Sequence, residues 1–320
     1  MQEILQIFGI KAPVLAEKKL SGGRIHGTYR IRTAAGDYIA QKLHPTAFPD
    51  AEQLMRKLVS VTKFLCSRGC VTLHFYQTPD GAYLHQGWRL MDCIPGVTKS
   101  NPDVSAIRAA GWAFGAFQAK LAEFMPELPE PPFHDPARHF AMLEQAVASD
   151  PCGNFKAAQE VFDRLMHLQK SVCALQNAGL PVRIIHNDTK LGNLLFDPQT
   201  DKPLAVIDLD TVGMGLAAYD FGDAVRSLHG AASELNPSLA QTVLDGFLES
   251  ASHLTEAERQ SLPLGITAIT AELAARYLTD FLTGNCYFHH PDSLGRAAQL
   301  TALARSADLW YNKNTTMNVY

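Results

Sequence analysis

From the N-terminus to residue 95, short apolar runs are broken by turn signals. Leu20 to Thr33 and Tyr38 to Leu43 read as extended segments around Ala34-Ala35-Gly36-Asp37. Phe48-Pro49-Asp50 then opens a helix in which Leu54, Leu58, Val61 and Leu65 recur at helical spacing, and Gly69 ends it. Val71 to Gln77 and Ala82 to Leu84 read as strands flanking the hairpin signal Pro79-Asp80-Gly81. A last strand, Trp88 to Ile94, stops at Pro95-Gly96. Beyond it the period changes. Asp103 to Phe124 is a long helix with Ile107, Trp112, Phe114, Phe117 and Leu121 apolar, and a proline-rich loop follows over Pro126 to Pro136. Two more helices fit His139 to Gly179. Short strands fit Val182 to Ile185, Leu194 to Asp197 and Leu204 to Leu209, and the rest is mostly helical. The pattern predicts an α+β chain in two lobes, a small β-rich lobe over 1–95 and a larger helical lobe over 96–320, joined at a hinge near Pro95-Gly96.

Composition narrows the classes. Hydrophobic residues make up 47% of 320 residues, enough for a real core. The 28 basic and 32 acidic residues leave a net charge of −4, which disfavours a nucleic-acid binder. Uninterrupted apolar runs stay short of the roughly 18 residues of a membrane span. The start, MQEILQIFGIKAP, carries an acid where a signal peptide needs positive charge, so a cytoplasmic protein is expected. The six cysteines, at 66, 70, 93, 152, 173 and 286, form no C-x-x-C pair. They read as reduced, mostly buried thiols rather than a zinc site or a disulfide framework.

The stretch that carries chemistry is Val182 to Arg226. An apolar strand delivers His186-Asn187-Asp188, Asn193 follows five residues after Asp188, and a hairpin returns to a strand ending in Asp208-Leu209-Asp210. Singly, each acid or amide would read as a turn former. As the compound pattern H-x-D-x-x-x-x-N followed by D-x-D, they fit phosphoryl transfer. Mg²⁺ takes hard oxygen ligands and keeps several waters, so one carboxylate and one amide oxygen suffice; Asp208 and Asn193 fit those roles. Asp188 fits the separate carboxylate that orients an attacking hydroxyl and accepts its proton, acting by position because an Asp is a weak base.

This segment resembles the aminoglycoside-phosphotransferase and choline-kinase-like group, which has a protein-kinase-like fold. Within that group the chain is most similar to the N-acetylhexosamine 1-kinase type. The resemblance runs through Thr28-Tyr29, Tyr38 to Gln41, Phe48-Pro49 with Leu54-Met55, Phe114-Gly115, Phe117-Gln118 and Phe133-His134-Asp135. It continues over His186 to Asn193, Ile207 to Thr211, Asp220 to Arg226, Arg276 to Asp280 and Tyr287-Phe288. It implies an ATP- and Mg²⁺-dependent kinase with Asp188 as base, Asn193 and Asp208 on the metal, and Asp210 as a further metal candidate. The implied acceptor is a sugar hydroxyl, the anomeric one of an N-acetylhexosamine. An aminoglycoside or other amino-alcohol is the alternative, since residues 121–150 hold six acids against Arg138. A nucleotide-binding pseudokinase is the third reading.

Around the nucleotide, Gly22 and Gly23 lie in the segment Ser21 to Tyr29, which fits neither a Walker A nor G-x-G-x-x-G. It reads as a hairpin turn or a phosphate lid ending at Thr28, and the resemblance implies the lid. A kinase-like small lobe puts a lysine on its third strand. Here Gln41 holds that slot and Lys42 follows on the opposite strand face, with Glu52 a possible partner for Lys42. Which of the two meets the nucleotide is left open, and Met91 to Ile94 is the candidate hinge for adenine. Asp220-Phe221-Gly222 is read not as a kinase D-F-G but as a helix cap or buried structural acid, and Asp223 with Arg226 as an i, i+3 pair. Arg276 reads either as a surface partner of Glu272 or, by the resemblance, as a contact to the sugar hydroxyls. Arg24 stands where that branch often has His and His26 where it has Asn, so the resemblance does not fix the sugar.

Overall fold

The structure is a computed structural model, described here over residues 1–20, 26–45, 48–126 and 132–317. The chain divides into two compact units. The first takes in Met1–Lys99 and Leu194–Asp210, with a short segment after residue 122; the remainder forms the second.

In the first unit, helix α1 (Gln2–Ile7) precedes strands β1 (Val14–Lys19), β2 (Gly27–Thr33) and β3 (Gly36–Lys42). Helix α2 (Ala51–Ser67) and strand β4 (Trp88–Asp92) follow, and the four strands form one antiparallel sheet in the order β1-β2-β3-β4. The turn after Thr33 is tight because Gly36 takes φ +146° and the Thr33 hydroxyl donates to Gly36 O while accepting from Ala35 N–H. Helix α2 starts where expected: the Asp50 carboxylate accepts from Gln53 N–H, and Leu54, Met55, Leu58, Val61 and Leu65 are buried. Leu5 and Phe8 of the N-terminal segment pack with Ile31, Tyr38, Ala40 and Leu90 beneath the sheet.

Three expectations need correction. β1 was not anticipated, because five of its six residues are exposed and it is an edge strand with no apolar alternation to betray it. Val71 to Gln77 and Ala82 to Leu84 do not form strands. The first contributes one isolated bridge, Phe75 to Met91, His85 just beyond the second bridges to Trp88, and the Thr78 side chain organises the turn between the two segments. The cysteines are free, as expected, but none is buried: Cys66, Cys152 and Cys286 are exposed and the others half-buried.

The chain then builds the second unit with α3 (Val104–Leu121), α4 (Pro136–Ser149), α5 (Phe155–Gln176) and β5 (Arg183–Ile185). It enters the first unit for the hairpin β6 (Leu194–Phe196) and β7 (Pro203–Val206). It ends in the second with β8 (Gly213–Gly215), α6 (Ala217–His229), α7 (Pro237–Ser250), α8 (Glu256–Leu282) and α9 (Ser293–Met317). β8, too short to show in the sequence pattern, pairs with β5. Helices α6 and α8 cross in backbone contact. A Cβ on Gly222 would lie 2.1 Å from Gly265 O, and one on Gly265 would lie 1.9 Å from Ala218 O. No helix among the described residues is long and apolar enough to cross a membrane.

Candidate active site

In the second unit, β5 and α6 shape the loop that follows Ile185. β8 can lie close to β5 because Gly215 has no side chain; a Cβ there would meet Ile185 at 2.5 Å. Beyond Ile185 the chain turns through Asn187 at φ +65°, a left-handed conformation that Asn tolerates better than most residues. The turn is held by Asp220 of α6, fully buried, whose carboxylate accepts His186 N–H (2.8 Å), Asn187 N–H (2.7 Å) and the Gln118 amide (2.8 Å). Thr189 Oγ1 donates to the Asp220 carbonyl at 2.6 Å. Burial pushes the Asp220 carboxyl above its ordinary range despite these donors and nearby His186. Of the two expectations for Asp220, a helix cap or a buried structural acid, the second matches its burial, since the N-cap of α6 is Leu216. The expected Asp223–Arg226 pair is present, at 2.6 Å.

The loop presents Asp188. Its N–H donates to His186 Nδ1 (3.2 Å), and the His186 ring is buried edge-on to Phe114 and Phe117. One carboxylate oxygen, Oδ2, accepts from Lys190 Nζ (2.6 Å) and from the Asn193 amide (3.0 Å), and the same Asn193 nitrogen donates to Asp188 O (2.8 Å). The side chain is 28% exposed. Burial would raise the Asp188 carboxyl, but the Lys190 charge and the Lys190 and Asn193 hydrogen bonds hold it below the ordinary carboxylate range. Asp188 is therefore an ionised acceptor, and Asn193 is turned so that its nitrogen faces Asp188 and its carbonyl oxygen lies on the other side of the amide. Lys190 was missed in the sequence. Its signal is its place two residues after Asp188.

Deeper in this unit, His134 Nδ1 lies 2.9 Å from Glu272 Oε2, and His134 Nε2 donates to Asn187 O at 3.2 Å. Both ring nitrogens face acceptors, so the ring is an imidazolium. Glu272, only 1% exposed, also binds His139 and Asp135 N–H. It is not the surface acid expected beside Arg276. Burial would raise the Glu272 carboxyl, yet the two histidines bring it down to about 2; burial would lower the His134 pKa, yet Glu272 raises it. Glu272 thus adds stability fully present above its unfolded value near 4.5 and lost as pH falls toward 2. His134 adds stability fully present below 6.5 and lost as pH rises through its raised folded value. The melting temperature of the wild type should exceed that of Glu272→Gln most between about pH 4.5 and 6.5. A gap that does not change with pH would refute the pairing. Arg276 donates to Tyr287 Oη at 3.2 Å and lies over the Tyr287 and Phe288 rings, in a loop held by Asp280, which accepts both their N–H groups.

In the first unit, Thr28, Gln41 and Arg89 stand in register across β2, β3 and β4. Gln41 Nε2 donates to Thr28 Oγ1 (3.0 Å), and its Oε1 accepts from Arg89 Nε (3.0 Å) and Nη2 (2.7 Å). Arg89, 3% exposed, grips Asp210 through Nη1 to Oδ1 (2.7 Å) and Nη2 to Oδ2 (2.9 Å). His26 Nε2 lies 2.9 Å from the same Oδ2, and Lys57 Nζ donates to Asp210 O at 3.2 Å. Burial alone would raise the Asp210 carboxyl, but Arg89 and His26 drive it far down. Asp208 begins this turn at φ +62°. Lys42 points to the other face, as strand alternation predicts, toward Gln86 O and the Trp88 ring. Gly22, Gly23 and Arg24 lie outside the described residues. Arg89 was missed as a site residue, although a lone arginine inside the strand Trp88-Arg89-Leu90-Met91 signals a buried charge in need of a partner. Among the described residues, no group of three or more His, Cys, Asp or Glu side chains is arranged to hold a metal ion.

Comparison with known proteins agrees with this architecture. Residues 17–259 match the phosphotransferase enzyme family (APH). The chain is similar to the microcompartment-associated aminopropanol kinase, with TM-score 0.69, 16% identity, and 98% of this chain and 97% of that one covered. It is similar to an aminoglycoside phosphotransferase from Alicyclobacillus acidocaldarius (TM-score 0.68, 14% identity, 95% and 92% covered). It is also similar to the choline kinase LicA from Streptococcus pneumoniae (TM-score 0.63, 14% identity, 96% and 98% covered). With a small antiparallel sheet lobe, a larger helical lobe and a family match over most of its length, the chain belongs to the APH phosphotransferase enzyme family and has its protein-kinase-like fold.

Proposed function

We propose that the protein transfers the γ-phosphoryl group of ATP to an alcohol of a small molecule, with Asp188 as general base. The observation that carries this reading is the setting of Asp188: partly exposed, and fixed through one carboxylate oxygen by Lys190 and Asn193. The second oxygen serves the acceptor. As the alcohol oxygen bonds to the γ-phosphorus, the bond from that phosphorus to the β–γ bridging oxygen breaks. ADP leaves, and the alcohol proton passes to Asp188. Lys190, paired with Asp188, would help to offset the charge that develops.

Asn193 and Asp208 are the candidate holders of a divalent cation. The Asn193 amide spends its nitrogen on Asp188, which leaves its carbonyl as the donor a hard cation takes, and Asp208 supplies a carboxylate. When bound, Mg²⁺ neutralises charge on the triphosphate. Gln41, Thr28, Lys42 and the glycine segment are the candidate nucleotide contacts, and Arg276 and Arg24 the candidate acceptor contacts.

The flanking motifs favour a free sugar, the anomeric hydroxyl of an N-acetylhexosamine, as acceptor. The aminopropanol and choline kinases among the structural relatives favour an amino-alcohol as the second reading. ADP release should be measured with Mg-ATP and a panel of N-acetylhexosamines, amino-alcohols, choline and aminoglycosides. Stimulation by a free N-acetylhexosamine supports the first reading, and stimulation by amines alone supports the second. Tight Mg-ATP binding with no stimulation by any acceptor would replace both with a pseudokinase.

A further inference from the structure

We propose that Arg89 is a positioning residue for Asp208: by holding Asp210 in a two-pronged grip it withdraws that acid from cation binding and fixes the turn from which Asp208 alone of the D-x-D pair meets the divalent cation. This rests on the kinase reading above. The sheet register supplies the first argument. Arg89 is directly across from Gln41, which holds the slot of the kinase lysine. A lysine there would set a second cation against Arg89, whereas Gln41 offers an acceptor to two of its N–H groups. Gln41 and Arg89 are thus one device, with the cation moved one strand over.

Donor arithmetic supplies the second. A guanidinium has five N–H groups. The Nε group and one of the Nη2 pair go to Gln41, the other Nη2 group and one on Nη1 go to Asp210, and the fifth, on Nη1, is directed at Met55 Sδ, 4.0 Å away. A planar fork so fully engaged, and 3% exposed, holds protein groups rather than a phosphate.

The acceptor supplies the third. Asp210 Oδ1 takes Arg89, Oδ2 takes both Arg89 and His26, and the Asp210 carbonyl takes Lys57. With Asp210 and the buried Leu209 both pinned, the left-handed Asp208 one step earlier has little freedom.

The test titrates Mn²⁺, followed by its electron paramagnetic resonance signal, into the protein with a non-hydrolysable ATP analogue, and separately measures metal-free ADP binding and melting temperature. Arg89→Lys keeps the charge and loses the fork; it should weaken Mn²⁺ about tenfold while metal-free ADP binding stays within about twofold of wild type. Gln41→Met, which keeps the ion pair but frees the guanidinium on one side, should shift Mn²⁺ affinity in the same direction and less. It serves if Arg89→Lys does not fold. Unchanged Mn²⁺ affinity in a destabilised Arg89→Lys protein would leave Arg89 a purely structural residue and overturn the proposal. An equal loss of metal-free ADP binding would overturn it in favour of a phosphate contact. A wild type that binds no Mn²⁺ with the analogue would overturn the kinase reading and this inference together, whereas a variant indistinguishable from a binding wild type overturns this inference alone.

Discussion

Asp188→Asn should give a folded protein that binds nucleotide like the wild type and turns over at least about 10²-fold, and up to about 10⁴-fold, more slowly. The substitution keeps shape. An Asn carbonyl can take the place of Oδ2 and still accept from Lys190 and Asn193, and the His186 Nδ1 contact is made by the backbone of residue 188. What disappears is the negative charge and the basic oxygen. The loss should therefore fall on kcat with KM for ATP little changed, the signature of an interaction made only in the transition state. Turnover within about tenfold of wild type would remove Asp188 from the role of base.

Gly222→Ala should be strongly damaging for a change that adds a single methyl group. Alanine normally favours a helix over glycine by about 1 kcal/mol. Here its Cβ would sit 2.1 Å from the Gly265 carbonyl oxygen and 2.8 Å from Ile266 N, backbone atoms that cannot rotate away. The helices must separate, and overpacking of this kind costs about 1–3 kcal/mol or more. Because α6 carries Asp220, separation also disturbs the His186–Asn187 turn. Both a lower melting temperature and a lower kcat are expected, and an unchanged melting temperature would show that the crossing yields easily.

How much of this could be read from residues alone depended on whether the signal was local. Asp50 before an apolar heptad-like run announced α2, and H-x-D-x-x-x-x-N announced the Asp188 loop, since both are spelled out within a few consecutive residues. Where partners are distant, the text was silent. Arg89 and Asp210 are 121 residues apart, and His134 and Glu272 are 138 apart. Glu272 therefore read as a surface acid on a helix. Asp210 likewise showed nothing near it in sequence of the arginine and histidine that bind its oxygens. β1 escaped for a different reason: an edge strand bathed in water has no need of the alternation by which strands are recognised.

The clasp of Asp220 on the two successive N–H groups after Ile185 has an energetic corollary. Ordering a loop residue costs about 1–2 kcal/mol of backbone entropy. Because α6 fastens this loop during folding, that entropy is surrendered before any acceptor arrives, and the encounter energy of a modest alcohol can go toward aligning the reacting atoms. A candidate catalytic loop made rigid in advance suits substrates too small to mould a protein around themselves.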